Sequence, residues 1–197
     1  MLKIQKDYFD EFGDISSNDE ERLITILNDL NFHNSKVTVE EEIKRIKSIK
    51  WKKLSYVIYL VPKATPRPRL GNRGVFYVKG ASDNKKIFKE FIKDEDIPLI
   101  KTPTKFHCIS YMPIPKSMNN VEKVLAELGL IYPISKPDWD NLAKAYCDMI
   151  QGMLLLDDSL VVEGSSKKKY SFKPRIEVSI EYMEYFDCVF NEKKIER

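Results

Sequence analysis

Lys136 to Asp158 reads KPDWDNLAKAYCDMIQGMLLLDD: two aspartates, Asp138 and Asp140, behind a proline, then a helical run, then a second acidic pair, Asp157 and Asp158. Wound on a helix, Asp140 to Gln151 puts Leu142, Ala145, Tyr146 and Met149 on one side, and Met153 continues the stripe. Asn141, Lys144, Asp148 and Gln151 fall on the other side, with Asp140, Lys144 and Asp148 stacked at four-residue intervals. The apolar side predicts core; the polar side is where any chemistry would lie. Pro137 disfavours helix for Lys136, an aspartate can cap the first free amides, and Gly152 suits the left-handed residue that closes a helix.

One cap accounts for one aspartate, and Lys144 four residues after Asp140 could be an ordinary surface ion pair. That leaves Asp138 or Asp140, and the pair at Asp157 and Asp158, to be explained. Two carboxylate clusters joined by one helix can meet at one point in space. Hard divalent cations want clustered carboxylate oxygens, and magnesium typically takes one to a few, keeping waters and phosphate oxygens as its other ligands. Such a site would serve phosphoryl chemistry.

KPDWDNLAKAYCDMI followed by LLLDDSLVV resembles the signature of the RusA-type Holliday junction resolvases, magnesium-dependent endonucleases of bacteria and their phages. The shared pattern is two aspartates flanking one residue, an asparagine, a lysine four residues after the second aspartate, and an aspartate pair before a valine-rich strand. The likeness runs from about Tyr56 to Met183, and the combined motif is specific where a lone DxD would be weak. It implies that Asp138, Asp140 and Asp158 hold magnesium, with manganese as a substitute, and that Lys144 is the catalytic lysine. Asn141, Asp148 and Asp157 would be supporting polar positions around them. It also implies a homodimer that resolves four-way DNA junctions by paired symmetric nicks, in recombination and repair. Two other readings stay open: a nuclease of the same fold that prefers flaps or forks, and a non-catalytic DNA-binding or phage-assembly protein.

At 197 residues, 43% hydrophobic and 32% charged, the chain suits one globular catalytic domain, residues 51–197, behind a helical acidic extension, residues 1–50. No apolar run approaches the roughly 20 residues of a membrane helix. MLKIQKDYFDEF also lacks the apolar segment of a signal peptide, so the expected place is the cytoplasm of a bacterial or phage-infected cell, with no membrane partner. Cys108, Cys147 and Cys188 are an odd number in unrelated contexts, which points to reduced thiols. The net charge of +3 is uneven: 11 acidic and 4 basic residues up to Glu42 give −7, and 29 basic and 19 acidic residues beyond it give +10. A basic catalytic part suits a phosphate backbone.

In the extension, Ser16, Ser17 and Asn18 offer caps for a helix through Leu30, and Thr38 with Glu41 suggests a capping box for a second. Their apolar faces need burial, most simply against the chain's own domain, otherwise against a second copy or another protein. Tyr56 to Val61 reads as a buried strand; KATPRPRLGNRG then gathers Lys63, Arg67, Arg69 and Arg73 on a loop, followed by a short strand at VFYV. That loop resembles the family's basic segment and could clamp phosphates, or be a solvated loop. Asp83 could cap a helix through Phe91 or Ile92, Phe106 to Met112 reads as a second buried strand, and Asn119 and Asn120 precede a helix closed by Gly129. After Asp158, a strand at LVV is expected to pair as a hairpin with the alternating strand Arg175 to Tyr182. Between them GSSKKKYSFKP interleaves Lys167, Lys168 and Lys169 with Tyr170 and Phe172, which could grip DNA or protect a strand edge. The sum is an α+β domain, a mixed sheet from the strands near Tyr56, Val75, Phe106, Leu160 and Ile176 with helices packed on it.

Overall fold

Thr104, Phe106, Cys108 and Ser110 are buried while the residues between them are only half-buried, the period-two pattern of a strand covered more closely on one face. That strand lies inside the sheet, with a neighbour on each side. The computed structural model describes residues 8–9, 17–29, 36–64, 69–71, 74–76, 81–93 and 96–186. In chain order its elements are β1 (Tyr8–Phe9), α1 (Ser17–Asp29), α2 (Lys36–Lys47), β2 (Trp51–Ile58), β3 (Arg69–Gly71) and β4 (Gly74–Phe76). They continue with α3 (Ala81–Phe91), β5 (Thr104–Pro113), α4 (Asn120–Glu127), α5 (Trp139–Ile150), a 3-10 turn at Asp158–Leu160, β6 (Val161–Ser171) and β7 (Arg175–Met183).

Two compact units make up the chain, one built on Lys53–Tyr182 and one on Asp7–Lys52 with Met183–Arg197. In the first, the strand order β2-β7-β5-β6 gives the expected mixed sheet: β5 runs antiparallel to β7 and parallel to β6. The expected hairpin between β6 and β7 does not form, because β5 lies between them. Phe172, Lys173 and Pro174 carry the chain across the end of β5, where Ser171 is opposite Pro113 and Arg175 opposite Tyr111. Glu127 of α4 fastens that crossing by accepting from the Ser171 hydroxyl, at 3.1 Å, and from the Phe172 amide. GSSKKKYS is therefore strand, not loop. Its lack of apolar alternation reflects an edge position in which one side of the ladder is open to water.

Three other expectations shift. The strand near Val75 pairs with Arg69–Gly71 in its own two-stranded sheet and does not join the main one. The strand expected at Tyr56–Val61 is instead Trp51–Ile58, carried by buried Leu54, Tyr56 and Ile58, and it stops where the Leu60 amide turns back to the Ile58 carbonyl at 3.0 Å. Helices α2 and α3 begin two residues ahead of Thr38 and Asp83, so neither residue is the cap. Asn119 caps α4, which begins at Asn120: its side chain accepts from the Glu122 amide at 2.9 Å while Glu122 accepts from the Asn119 amide at 2.8 Å.

Helix α5 covers the sheet through Leu142, Ala145, Tyr146, Met149 and Ile150, which share one core with Phe106, Cys108, Ile176, Ile180 and Phe88. A fully buried side chain of this size contributes roughly 1.5–3 kcal/mol, so this stripe fixes the helix and with it the polar side. In the second unit β1 pairs with Trp51 and Lys52, the Lys52 ammonium lies 2.7 Å from Glu184, and Leu27 and Ile49 are buried. Among the described residues no helix is long and apolar enough to cross a membrane.

Candidate active site

Asp138 occupies the N-cap position of α5 in extended conformation (φ −69°, ψ 148°), yet its side chain makes no capping bond. The carboxylate therefore remains available at the helix mouth, beside the positive end of the helix dipole. Asp140 lies in the first turn, on the exposed side. One turn further, the Lys144 ammonium lies 3.5 Å from Asp148 Oδ1 and 3.9 Å from Asp158 Oδ2. The first contact is the four-residue neighbour the sequence predicts; the second joins α5 to a separate segment.

That segment is shaped by backbone. Gly152 at φ +79° ends the helix turn, and its amide donates to the Leu155 carbonyl at 2.7 Å. Ile100 then holds the loop from outside, its amide on the Leu154 carbonyl (2.7 Å) and its carbonyl on the Leu156 amide (2.9 Å). Asp157 caps the following 3-10 turn by accepting from the Ser159 amide at 2.9 Å, and Gln151 Nε2 donates to its other oxygen at 3.1 Å. Hydrogen bonds from the Ser159 hydroxyl and amide hold the Asp157 carboxyl below the usual carboxylate range. The adjacent aspartates thus divide their work: Asp157 builds the turn and Asp158 faces Lys144.

Asp140, Lys144 and Asp158 line one cavity of about 340 Å³, whose apolar walls include Phe106, Ala143 and Val161 and whose edge is Gly164–Ser166 of β6. Cys147 also borders it, but burial first, and then the charges of Asp158 and Asp148, push its thiol up to about 11. It is therefore a neutral packing group at physiological pH and no nucleophile. His107 is half-buried, with Nδ1 2.8 Å from the Ser165 hydroxyl across the β5/β6 pair, a tie within the sheet.

Residues 60–181 match the sequence profile described as endodeoxyribonuclease RusA. The chain belongs to the RusA endodeoxyribonuclease family. It is also 33% identical over 135 residues, 64% of this chain and 94% of the relative, to the uncharacterized protein YqaN of Bacillus subtilis (strain 168). The resemblance carried by KPDWDNLAK and LLLDDSLVV is thereby confirmed, and with it a nuclease domain.

The predicted DNA-contact residues of this RusA-type domain have different surroundings. Lys63 is exposed; Arg67 and Arg73 lie outside the described residues, and of Arg69 only the backbone in β3 is described. Lys167 and Lys169 are exposed, on the face of β6 they share with His107 and Tyr111 of β5. Lys168 points to the opposite face, toward α5, where its ammonium donates to the carbonyls of Ser135 and Pro137. Strand periodicity thus separates three lysines that are adjacent in sequence. No sequence signal marks Ser166 or Ile100; Gln151, on the polar side of α5, lies at the helix end facing the second acidic pair. Asn141 is half-buried in the first turn of α5.

The implied magnesium can be weighed against this donor set. Among the described residues no three His, Cys, Asp or Glu side chains gather into a preformed metal cage. Asp140 and Asp158 nevertheless line one cavity; Asp138, the N-cap two residues before Asp140, is not among the residues that line it. Two hard carboxylate donors fit an ion that keeps several waters and takes substrate oxygens.

Proposed function

We propose that this chain is a magnesium-dependent, structure-selective endodeoxyribonuclease that resolves four-way DNA junctions by paired symmetric nicks. The observation that supports this reading is the meeting of two segments: Lys144 and Asp140 of α5 line one cavity with Asp158 of the following turn. Asp140 and Asp158, with Asp138, would hold magnesium or manganese. When bound, the ion neutralises charge on the scissile phosphate and lowers the pKa of water for in-line attack.

The chain's own residues do the rest. Asp148 and Asp158, 3.5 Å and 3.9 Å from the Lys144 ammonium, keep that charge over the cavity. There Lys144 offsets negative charge that builds as the phosphorus becomes five-coordinate, or protonates the departing oxygen. Phe106, Ala143 and Val161 leave one wall apolar, which strengthens these charge interactions relative to open water. Two symmetric cuts on a near-twofold junction call for two such sites, and a homodimer supplies them. Lys63, Arg67, Arg69 and Arg73, with Lys167 and Lys169, would provide phosphate contacts that set affinity more than sequence choice.

The test is a nicking assay on a synthetic four-way junction, a flap, a fork and linear duplex, with magnesium or a chelator, and Asp140→Asn as control. Paired symmetric nicks in the junction alone, abolished by chelator and by Asp140→Asn, support the proposal. Preferential cutting of flaps or forks would replace the substrate; metal-independent binding without cutting would replace the activity with a binding role.

A further inference from the structure

Asp138 has no capping bond of its own, and the Ser135–Pro137 segment before it belongs to no helix or strand. Side chains of β6 hold this stretch. Lys168 Nζ donates to the Ser135 carbonyl at 2.6 Å and to the Pro137 carbonyl at 2.8 Å. Two residues earlier on the strand, the Ser166 hydroxyl donates to the Trp139 carbonyl at 3.3 Å. Residues 166 and 168 share one face of a strand, so one edge strand catches the carbonyls on both sides of Asp138. An ammonium offers three donors, and its hydrogen bonds to carbonyls are charge-assisted. With two donors committed and the side chain half-buried, Lys168 is badly placed to meet a phosphate.

The same strand begins directly after the Asp158–Leu160 turn. It therefore carries one carboxylate at its start and grips the segment that bears the other two.

We infer that Lys168, assisted by Ser166, is a positioning residue that fixes the backbone around Asp138 and the first turn of α5 relative to Asp158. Its effect on cleavage rests on the nuclease reading above; its effect on the segment does not. Lys168→Met keeps the apolar stem and removes the donors, and Lys168→Arg restores donors. The chain has two tryptophans, so in a Trp51→Phe background Trp139 is the sole reporter of the segment. The experiment measures junction affinity, single-turnover cleavage at saturating protein over a magnesium titration, and Trp139 anisotropy.

Lys168→Met is expected to bind the junction within a few-fold of wild type. Its per-complex cleavage falls about 10- to 100-fold, its half-saturating magnesium rises, its Trp139 anisotropy drops, and Lys168→Arg recovers most of the loss. Unchanged cleavage per complex, or a loss confined to affinity, overturns the inference, the latter by making Lys168 a DNA contact. If the wild-type protein cuts no branched DNA, the nuclease reading fails, and the anisotropy alone decides: a drop in Lys168→Met upholds the clamp and no change refutes it. Should Lys168→Met not fold, Ser166→Ala takes its place, with a smaller loss of rate and anisotropy expected and no change in either overturning the inference.

Discussion

Lys144 Nζ stands 3.9 Å from Asp158 Oδ2, a contact between side chains fourteen positions apart that sets Asp158 beside the polar side of α5. The contact is exposed, and such pairs contribute little to stability. Its value is in placing a cation where phosphate charge would develop. Lys144→Ala is therefore expected to leave the thermal melt nearly unchanged and junction binding within a few-fold, while single-turnover cleavage falls about 10²- to 10³-fold. A loss of affinity with normal cutting per complex would assign Lys144 to binding.

Neighbouring aspartates should respond differently. Asp157 accepts from Ser159 and Gln151, whereas Asp158 turns to Lys144. Asp158→Asn is expected to abolish metal-dependent cleavage at unchanged fold. Asp157→Asn keeps acceptor capacity on an amide oxygen and should retain a substantial part of the rate, with Asp157→Ala lower. Rates measured side by side over a magnesium titration check this, and equal losses in Asp157→Asn and Asp158→Asn would contradict the division of roles.

The polar side of α5 is only as well placed as its apolar side is packed. Leu142 is fully buried in the core that α5 shares with β5 and β7. Leu142→Ala should cost about 2–5 kcal/mol, read as a lower denaturant midpoint at unchanged slope. A cost near zero would mean that the helix is not seated as described.

Alkaline pH should destabilise the domain in a defined order. Burial holds the Cys147 thiol up at about 11 against an ordinary value of 9.0, and holds the Tyr56 hydroxyl well above 10.0. Both are raised in the folded state, so their contribution is complete below the unfolded values. For Cys147 it is lost as pH climbs from about 9 through about 11; for Tyr56 the loss begins above 10.0. The Tyr56 hydroxyl is buried with no hydrogen-bond partner among the described residues, so Tyr56→Phe should be neutral or stabilising at pH 7. It should also preserve more stability above pH 10.0. Chemical denaturation at stepped pH tests this, and a wild-type alkaline limb unmoved by Tyr56→Phe would refute it.

Much of this arrangement is legible in the chain because it is local. The α5 stripe, the Gly152 end and the four-residue step from Lys144 to Asp148 follow from helix geometry alone. The α+β class followed from the buried run of β5 and the alternation of β7 beside the helical stretches. What stayed hidden depends on which strands are neighbours. Val161–Ser171 carries few β-formers beyond its start, since an edge strand can be polar, and so its lysines read as a loop patch and its pairing with β5 is not legible. Without the strand, Lys168 could not be separated from Lys167 and Lys169, although a two-residue period sends it alone toward Pro137. Asp157 and Asp158 likewise look equivalent until the turn at Ser159 claims one of them.

The proposed nuclease requires Asp140 on the helix and Asp158 on the turn to act as one centre. The measurement that bears on it most directly is single-turnover cleavage of a synthetic four-way junction in a cycle of Asp140→Asn, Asp158→Asn and the double variant. Groups that work as a unit are grossly non-additive, so the double variant should be no slower than the slower single one, with junction binding intact throughout. Losses that multiply, each aspartate contributing independently of the other, would contradict a shared centre.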